Sequence, residues 1–265
     1  MSFKKETPLA NAVFWAARKG NLALLQLLLN SGRVDADCKD SYGTTALMVA
    51  SYSGHYDCAK ELIMQGADIN LQREDGGTAL SAACQHGRSS VVETLLRNGA
   101  GMHDQLNDGA TPLFLAAQEG HLTVIRQLLS SGAKVNHPRE DGTTPLWMAA
   151  QMGHSEVVKV LLLRGAERDA DRKDGSTALF KAAFKGHNSV VEELLKFSPS
   201  LGLLKNGSTA LHAAVMAGNL RAVVLLLRAN ADPTLPNMNK ELPADLTKNE
   251  RILRLLRTRM VDGGC

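Results

Sequence analysis

The chain has 265 residues, with 30 Lys and Arg against 27 Asp and Glu, a formal net charge of +3, and only 4% aromatic residues. So small a charge argues against a nucleic-acid binder, which needs a concentrated basic face. No apolar run approaches the roughly 18 residues that cross a bilayer, so membrane insertion is not expected.

The chain opens on a polar stretch, residues 1–7, expected to fray. From there it reads as one domain over 8–257, built from short units. The first, about 8–39, carries Ala16, Ala17 and Gly20 where its successors repeat them, but Asn11 and Ala12 where they have Thr-Pro. An atypical first unit is expected, because its outer face meets water instead of a neighbour. Units of about 40–72, 73–105, 106–138, 139–171, 172–204 and 205–237 follow a common plan, clearest in residues 141–166, DGTTPLWMAAQMGHSEVVKVLLLRGA. Thr144 caps a helix, and Pro145 fits its first position, where a missing N–H costs nothing. Small Ala149 and Ala150 lie on its packing face. Gly153 ends it in the left-handed conformation, and Ser155 starts a second helix. That helix buries Val157, Val158, Leu161 and Leu162 and stops at Gly165. Neither helix is long enough to be stable alone in water, so each unit must stack on neighbours.

The anchoring threonine recurs at Thr45, Thr78, Thr111, Thr144, Thr177 and Thr209, at intervals of 33 residues four times and then 32. The turn glycine follows it at Gly54, Gly87, Gly120, Gly153, Gly186 and Gly218. Between units, Asp75-Gly76, Asp108-Gly109 and Asp141-Gly142 suit tight turns with positive backbone dihedrals, giving short β-fingers too brief for a sheet. The sixth unit ends irregularly, with Phe197 and Pro199 where its relatives read GADIN or GAKVN. A terminal cap, 238–257, has Glu241-Leu242-Pro243 in place of Thr-Pro-Leu. In it Ile252, Leu253, Leu255 and Leu256 seal the last interface, while Arg251, Arg254 and Arg257 face water. Together with Lys248 and Arg259 they are the one local excess of positive charge. Residues 258–265 read as a flexible tail.

A period of 33 with a T-P-L-x-x-A-A core resembles the ankyrin-repeat family. The motif runs DGATPLFLAAQEGH, DGTTPLWMAAQMGH and DGSTALFKAAFKGH, each followed by a V-V/I-x-x-L-L helix. The resemblance covers roughly residues 8–257. It implies an all-α solenoid of stacked helix–turn–helix units with short β-hairpin connections, and an interaction module without catalytic activity.

Metal and catalytic chemistry find little support in the residues. His55, His121, His154 and His187 each follow a turn glycine, one per unit, too far apart to share a metal; the resemblance makes that position structural. Four cysteines, Cys38, Cys58, Cys84 and Cys265, form no C-x-x-C pair. Cys58 and Cys84 fall on apolar helix positions, so they read as core fillers in a reducing compartment, cytoplasmic or nuclear. No G-x-S-x-G elbow, Walker loop, H-E-x-x-H or dinucleotide fingerprint occurs. The expectation is no enzyme, no cofactor, no metal, no small-molecule substrate and no nucleic acid. A monomer that binds an unidentified protein is expected.

The resemblance places that partner on a concave face lined by hairpin tips and by the last turns of the first helices. Those last turns read Tyr52-Ser53, Gln85-His86, Gln118-Glu119, Gln151-Met152, Phe184-Lys185 and Val215-Met216, passing from polar to apolar along the chain. The candidate partner-binding residues are therefore Trp147, Gln151, Met152, Phe184, Lys185, Val215 and Met216. An alternative function is that of a regulatory substrate. Asn70, with Leu62 eight residues before it and Asp68 two before, resembles the pattern favoured by the asparaginyl hydroxylase that acts on ankyrin repeats; Asn136, with Lys134 in the acidic place, fits less well.

Overall fold

The structure, a computed structural model, describes residues 7–262. The fraying expected up to Glu6, and the end of the tail with Cys265, lie outside the described residues. These form short helices in two compact units that divide between Lys134 and Val135.

The first unit holds four helix pairs: α1 (Pro8–Lys19) with α2 (Leu22–Asn30), α3 (Ala46–Ser53) with α4 (Tyr56–Met64), α5 (Ala79–Gln85) with α6 (Ser89–Arg97), and α7 (Pro112–Glu119) with α8 (Leu122–Ser130). The second holds α9 (Pro145–Met152) with α10 (Ser155–Leu163), α11 (Ala178–Lys185) with α12 (Asn188–Leu195), and α13 (Ala210–Met216) with α14 (Leu220–Arg228). It closes with a 3-10 turn (Pro243–Leu246) and α15 (Glu250–Asp262), which runs past Arg257, where the sequence reading ended the cap.

Each first helix starts on a threonine, because its hydroxyl satisfies an N–H that the helix leaves without a partner. The Thr144 Oγ1 accepts from the Trp147 N–H at 3.2 Å, and the same bond recurs at Thr111 and Thr209. The first repeat corrects the sequence reading. Its cap is Thr7, whose side chain accepts from the Ala10 N–H, and Pro8 is the first helical residue. The Thr-Pro pair is therefore present, but displaced one helical turn upstream of Asn11 and Ala12, so α1 is a turn longer than its successors.

Packing runs between nearest neighbours. In the first unit α1 packs on α3, α3 on α5 and α5 on α7, while α2, α4, α6 and α8 form a second row in the same order. In the second unit α9, α11, α13 and the 3-10 turn form one row, and α10, α12, α14 and α15 the other. The interfaces are built from small and branched residues: Ala149, Ala150, Ala182, Ala183, Val158, Leu161, Val191 and Leu194 are all fully buried. Burying a Val or Leu side chain is worth about 1.5–3 kcal/mol. Within each unit the stack thus supplies what an eight- or nine-residue helix lacks. Cys58 and Cys84 are buried among these residues, and burial pushes the Cys84 thiol far above its ordinary range.

The connecting loops are tied in register by backbone bonds. The Glu74 N–H donates to the Tyr42 carbonyl and the Asn107 N–H to that of Asp75; in the second unit Lys173 donates to Asp141 and Met238 to Gly207. Extended pairing amounts to isolated bridges such as Lys39 with Thr45 and Asp171 with Thr177, in keeping with fingers too short for a sheet. The irregular end of the sixth repeat is absorbed in its loop. Ser198 takes the left-handed conformation, φ 51°, that glycine holds at Gly165, and the Arg168 Nε donates to its carbonyl.

The turn glycine serves two purposes. Gly153 has φ +83°, and a β-carbon there would lie 2.9 Å from His187 Nδ1. The same His187 ring donates through Nε2 to the Gln151 carbonyl at 2.9 Å. Gly153→Val is expected to be severely destabilising, by several kcal/mol, because it strains the backbone and displaces that histidine. Thr144→Ala is expected to cost about 1 kcal/mol through the lost cap. Denaturant midpoints of the two variants check both values.

His212 makes stability depend on pH. It is buried in α13; its Nδ1 faces the Thr209 N–H at 3.2 Å and its Nε2 faces the Glu241 carbonyl at 3.2 Å, partners that suit the neutral ring. Burial pushes its pKa below the ordinary 6.5, against a smaller opposing pull from Glu241. The unfolded chain therefore binds a proton that the folded chain resists. This contribution is full above about pH 6.5 and is lost as pH falls through the lowered folded value. A series of melts below pH 6.5 should show a shallower pH slope for His212→Gln than for the natural chain.

Candidate protein-binding face

In the second unit the C-terminal turns of α9, α11 and α13 present their side chains one repeat apart. Counting back from Gly153, Gly186 and Gly218, the equivalent residues two before the glycine are Gln151, Phe184 and Met216. Phe184 is 38% exposed and Met216 53% exposed, and Met152, one position on from Gln151, is 47% exposed. Gln151 is half-buried and Lys185 is exposed. These are large apolar groups left in water by a fold that buries nearly every other one along the same helices.

Two of the expected residues belong to the core instead. Val215 is 1% exposed, because it sits three before its glycine, in register with buried Ala150 and Ala183. The pair equivalent to Phe184-Lys185 is Met216-Ala217, and a slip of one residue turns a side chain by about 100° around a helix. Trp147 is 2% exposed. Its indole Nε1–H donates to the Ser176 carbonyl at 3.2 Å, and the ring lies between α9 and the loop that leads into α11. The N3 position fills that gap in most repeats: Met48, Ser81, Phe114 and His212 are equally buried.

Cations that the sequence reading did not single out complete the surroundings. The Arg172 guanidinium stands 5.1 Å from the centre of the Trp147 ring and the Lys181 ammonium 5.5 Å. Lys181 also stands 5.9 Å from the Phe184 ring, one helical turn along α11. The spacing of Lys181 and Phe184, three residues apart, carries that signal. Arg172 is oriented by Asp141, whose Oδ2 accepts from Nε at 3.1 Å and from Nη2 at 3.0 Å. Burial alone would raise the Asp141 pKa, but hydrogen bonds from Thr143 and the charge of Arg172 hold it below the usual carboxylate range.

The scaffold fixes the backbone of this face. His187 Nε2 donates to the Gln151 carbonyl, and Asn219 Nδ2 donates to the Ala183 and Phe184 carbonyls at 2.8 Å each. In the first unit the same position is filled by His55, which faces the Arg18 carbonyl, by Arg88, which faces that of Tyr52, and by His121, which faces that of Gln85. The structural role expected of the histidines is thus shared with Arg88 and Asn219.

The first unit carries a groove of about 640 Å³ that the sequence reading did not find. Phe14, Met48, Val49 and Leu115 line it with Arg73 and with Tyr52 and His86, whose rings lie 4.0 Å apart. Tyr52 occupies the same place in its repeat as Phe184. Asn70 lies elsewhere in this unit. Its Nδ2 donates to the Gly99 carbonyl and its Oδ1 accepts from the Gly101 N–H, so the side chain braces the next turn; Asn136 does the same for Gly165 and Glu167.

A family model described as ankyrin repeats in three copies matches residues 4–73, 61–139, 80–172 and 161–237. The chain belongs to the ankyrin-repeat family. It is 81% identical over 296 aligned positions to ankyrin repeat domain-containing protein 29 of Danio rerio, covering 99% of both chains. To the Homo sapiens protein of that name it is 76% identical over 292 positions, covering 98% of this chain and 97% of the relative. Both alignments exceed the 265 residues of this chain by a little less than the length of one repeat. Among solved structures, the human ASB11 ankyrin repeat domain superposes with a TM-score of 0.64 at 26% identity, covering 96% of this chain and 97% of that one. Ankyrin repeats are in general protein–protein interaction modules, and that is the function class of this chain. Among the described residues no helix is long and apolar enough to cross a membrane.

The two tryptophans separate core from surface. Trp15 is 51% exposed and Trp147 2%. Trp147→Ala is expected to destabilise by about 3–5 kcal/mol, and Trp15→Ala by much less. Acrylamide should quench the fluorescence retained in Trp147→Phe more strongly than that retained in Trp15→Phe.

Proposed function

We propose that this ankyrin-repeat protein is a non-enzymatic module whose second unit holds a segment of a partner protein on the ends of α9, α11 and α13. Met152, Phe184 and Met216 are the apolar anchors. Gln151, Lys181 and Lys185 form a polar rim, while Trp147 and Val215 support the face from beneath.

The observation that carries this reading is the exposure of Met152, Phe184 and Met216 on three successive helices whose other large apolar residues are mostly buried. Interface energy concentrates in a few desolvated anchors ringed by polar groups, and Met adapts its shape to what it meets. The Gln151 and Phe184 carbonyls of this face are already engaged by the following repeat, so binding orders little that is loose.

Phe184→Asp combined with Met216→Asp is expected to abolish capture of partner proteins from a cell lysate, since each lost anchor costs about 2 kcal/mol of affinity. The far-UV helical signal and melting temperature should change little. Loss of the fold in the double variant would make these side chains structural. A folded variant that still captures every partner would place the binding face elsewhere, with the groove of Tyr52 and His86 the next surface to mutate.

A further inference from the structure

The terminal helix α15 carries a feature that the concave face does not use. Its buried side, Ile252 and Leu256, packs against α14 and the 3-10 turn. On the outside Arg251, Arg254 and Arg257 are exposed at intervals of three residues. Each such step advances about 4.5 Å along a helix and turns the side chain by about 60°, so the three form a stripe of about 9 Å. Arg259 is exposed on the next turn.

None of these guanidinium groups makes an ion pair or hydrogen bond among the described residues. Elsewhere in the same unit cations meet acids: Arg172 with Asp141, Arg221 with Glu192, Lys205 with Asp171 and Lys196 with Glu193. Two acids near α15 are already engaged. Asp245 Oδ2 accepts from the Leu242 N–H, and Asp232 Oδ1 from Thr234. Glu250 is the one acid in the first turn of α15, a single carboxylate beside a stripe of three arginines.

Such an arrangement does not serve the helix. Like charges three residues apart repel, and the first turn, where Arg251 lies, favours anions over cations. An anionic partner relieves both penalties.

We infer that the exposed face of α15 is a docking rail for an acidic segment of a partner polypeptide, helical and bearing glutamates three and four residues apart. Arginine, with a planar fork that takes a carboxylate through two parallel hydrogen bonds, stands at each position. A helical acidic segment repeats its carboxylates at the same rise as the stripe. A membrane fits less well: among the described side chains of α15 the exposed ones are Glu250, Arg251, Arg254, Arg257, Thr258 and Arg259, none of them apolar, and charge alone anchors weakly. Single-stranded nucleic acid would want aromatic platforms, and α15 has none.

The test uses the full chain and a fluorescein-labelled decaglutamate peptide, with phosphatidylserine vesicles and a duplex RNA as separate probes. Anisotropy should show the peptide bound at low salt and released as salt rises. In Arg251→Gln/Arg254→Gln/Arg257→Gln the affinity should fall by at least about tenfold, with circular dichroism unchanged. The corresponding triple lysine variant should retain part of the binding, and Phe184→Asp/Met216→Asp all of it. Absence of peptide binding at low salt overturns the inference, as does equal binding by the glutamine variant. Tighter binding of vesicles or RNA through the same arginines overturns the assignment to an acidic segment.

Discussion

One contact recurs through both units and the rest of the structure depends on it. At five positions the residue that follows a turn glycine reaches back and bonds to a carbonyl in the last turn of the preceding repeat of its unit. His55, Arg88, His121, His187 and Asn219 all do this, at 2.8–3.0 Å. The bond is possible because the earlier turn has no β-carbon in the way, and a turn without one adopts the left-handed backbone at no steric cost. A single glycine therefore ends a helix, reverses the chain and leaves room for the next repeat to dock. The donor's chemistry varies among imidazole, guanidinium and amide, while its geometry does not.

The proposed binding face inherits its order from that contact. The carbonyls of Gln151 and Phe184 are the ones engaged, so the side chains that project there stand on backbone held by the adjoining repeat. The fold thereby separates two tasks. Thr, Ala, Leu, Gly and the docking donor satisfy the scaffold, and the residue two before the glycine is left to vary from Tyr52 through Gln85 and Gln118 to Phe184 and Met216. On the proposed reading that position is free to suit a partner, with little consequence for stability.

Most of this architecture was legible in the sequence because its determinants are local and repeated. A threonine cap, a left-handed glycine and a stripe of Val and Leu each act within one repeat, and repetition averages out the exceptions. What escaped reading was what depends on a neighbour or on exact register. Val215 lies three residues before its glycine where Phe184 lies two before, and on a helix one residue decides between solvent and core. Trp147 looked available until its indole N–H found the Ser176 carbonyl in the next loop. Thr7-Pro8 stands outside the repeat's register because α1 is one turn longer than the other first helices. The groove beside Tyr52 is lined from several repeats at once, which no single motif announces.

Nearest-neighbour packing within each unit has a consequence for how such a chain changes length. In a closed core every residue's place is defined by the whole, and an excised segment leaves a hole. Here a helix pair touches chiefly the pair before it and the pair after it, and every pair presents nearly the same two surfaces. Removing one full period joins surfaces that already know how to meet, whereas removing a fraction of a period rotates every following side chain to a wrong bearing. Length in this architecture is thus quantised, and the irregular intervals, 34 residues between Gly20 and Gly54 and 32 between Gly186 and Gly218, are taken up in loops where no bearing has to be kept. The alignments to the Danio rerio and Homo sapiens relatives, longer than this chain by nearly one period, show a difference on that scale.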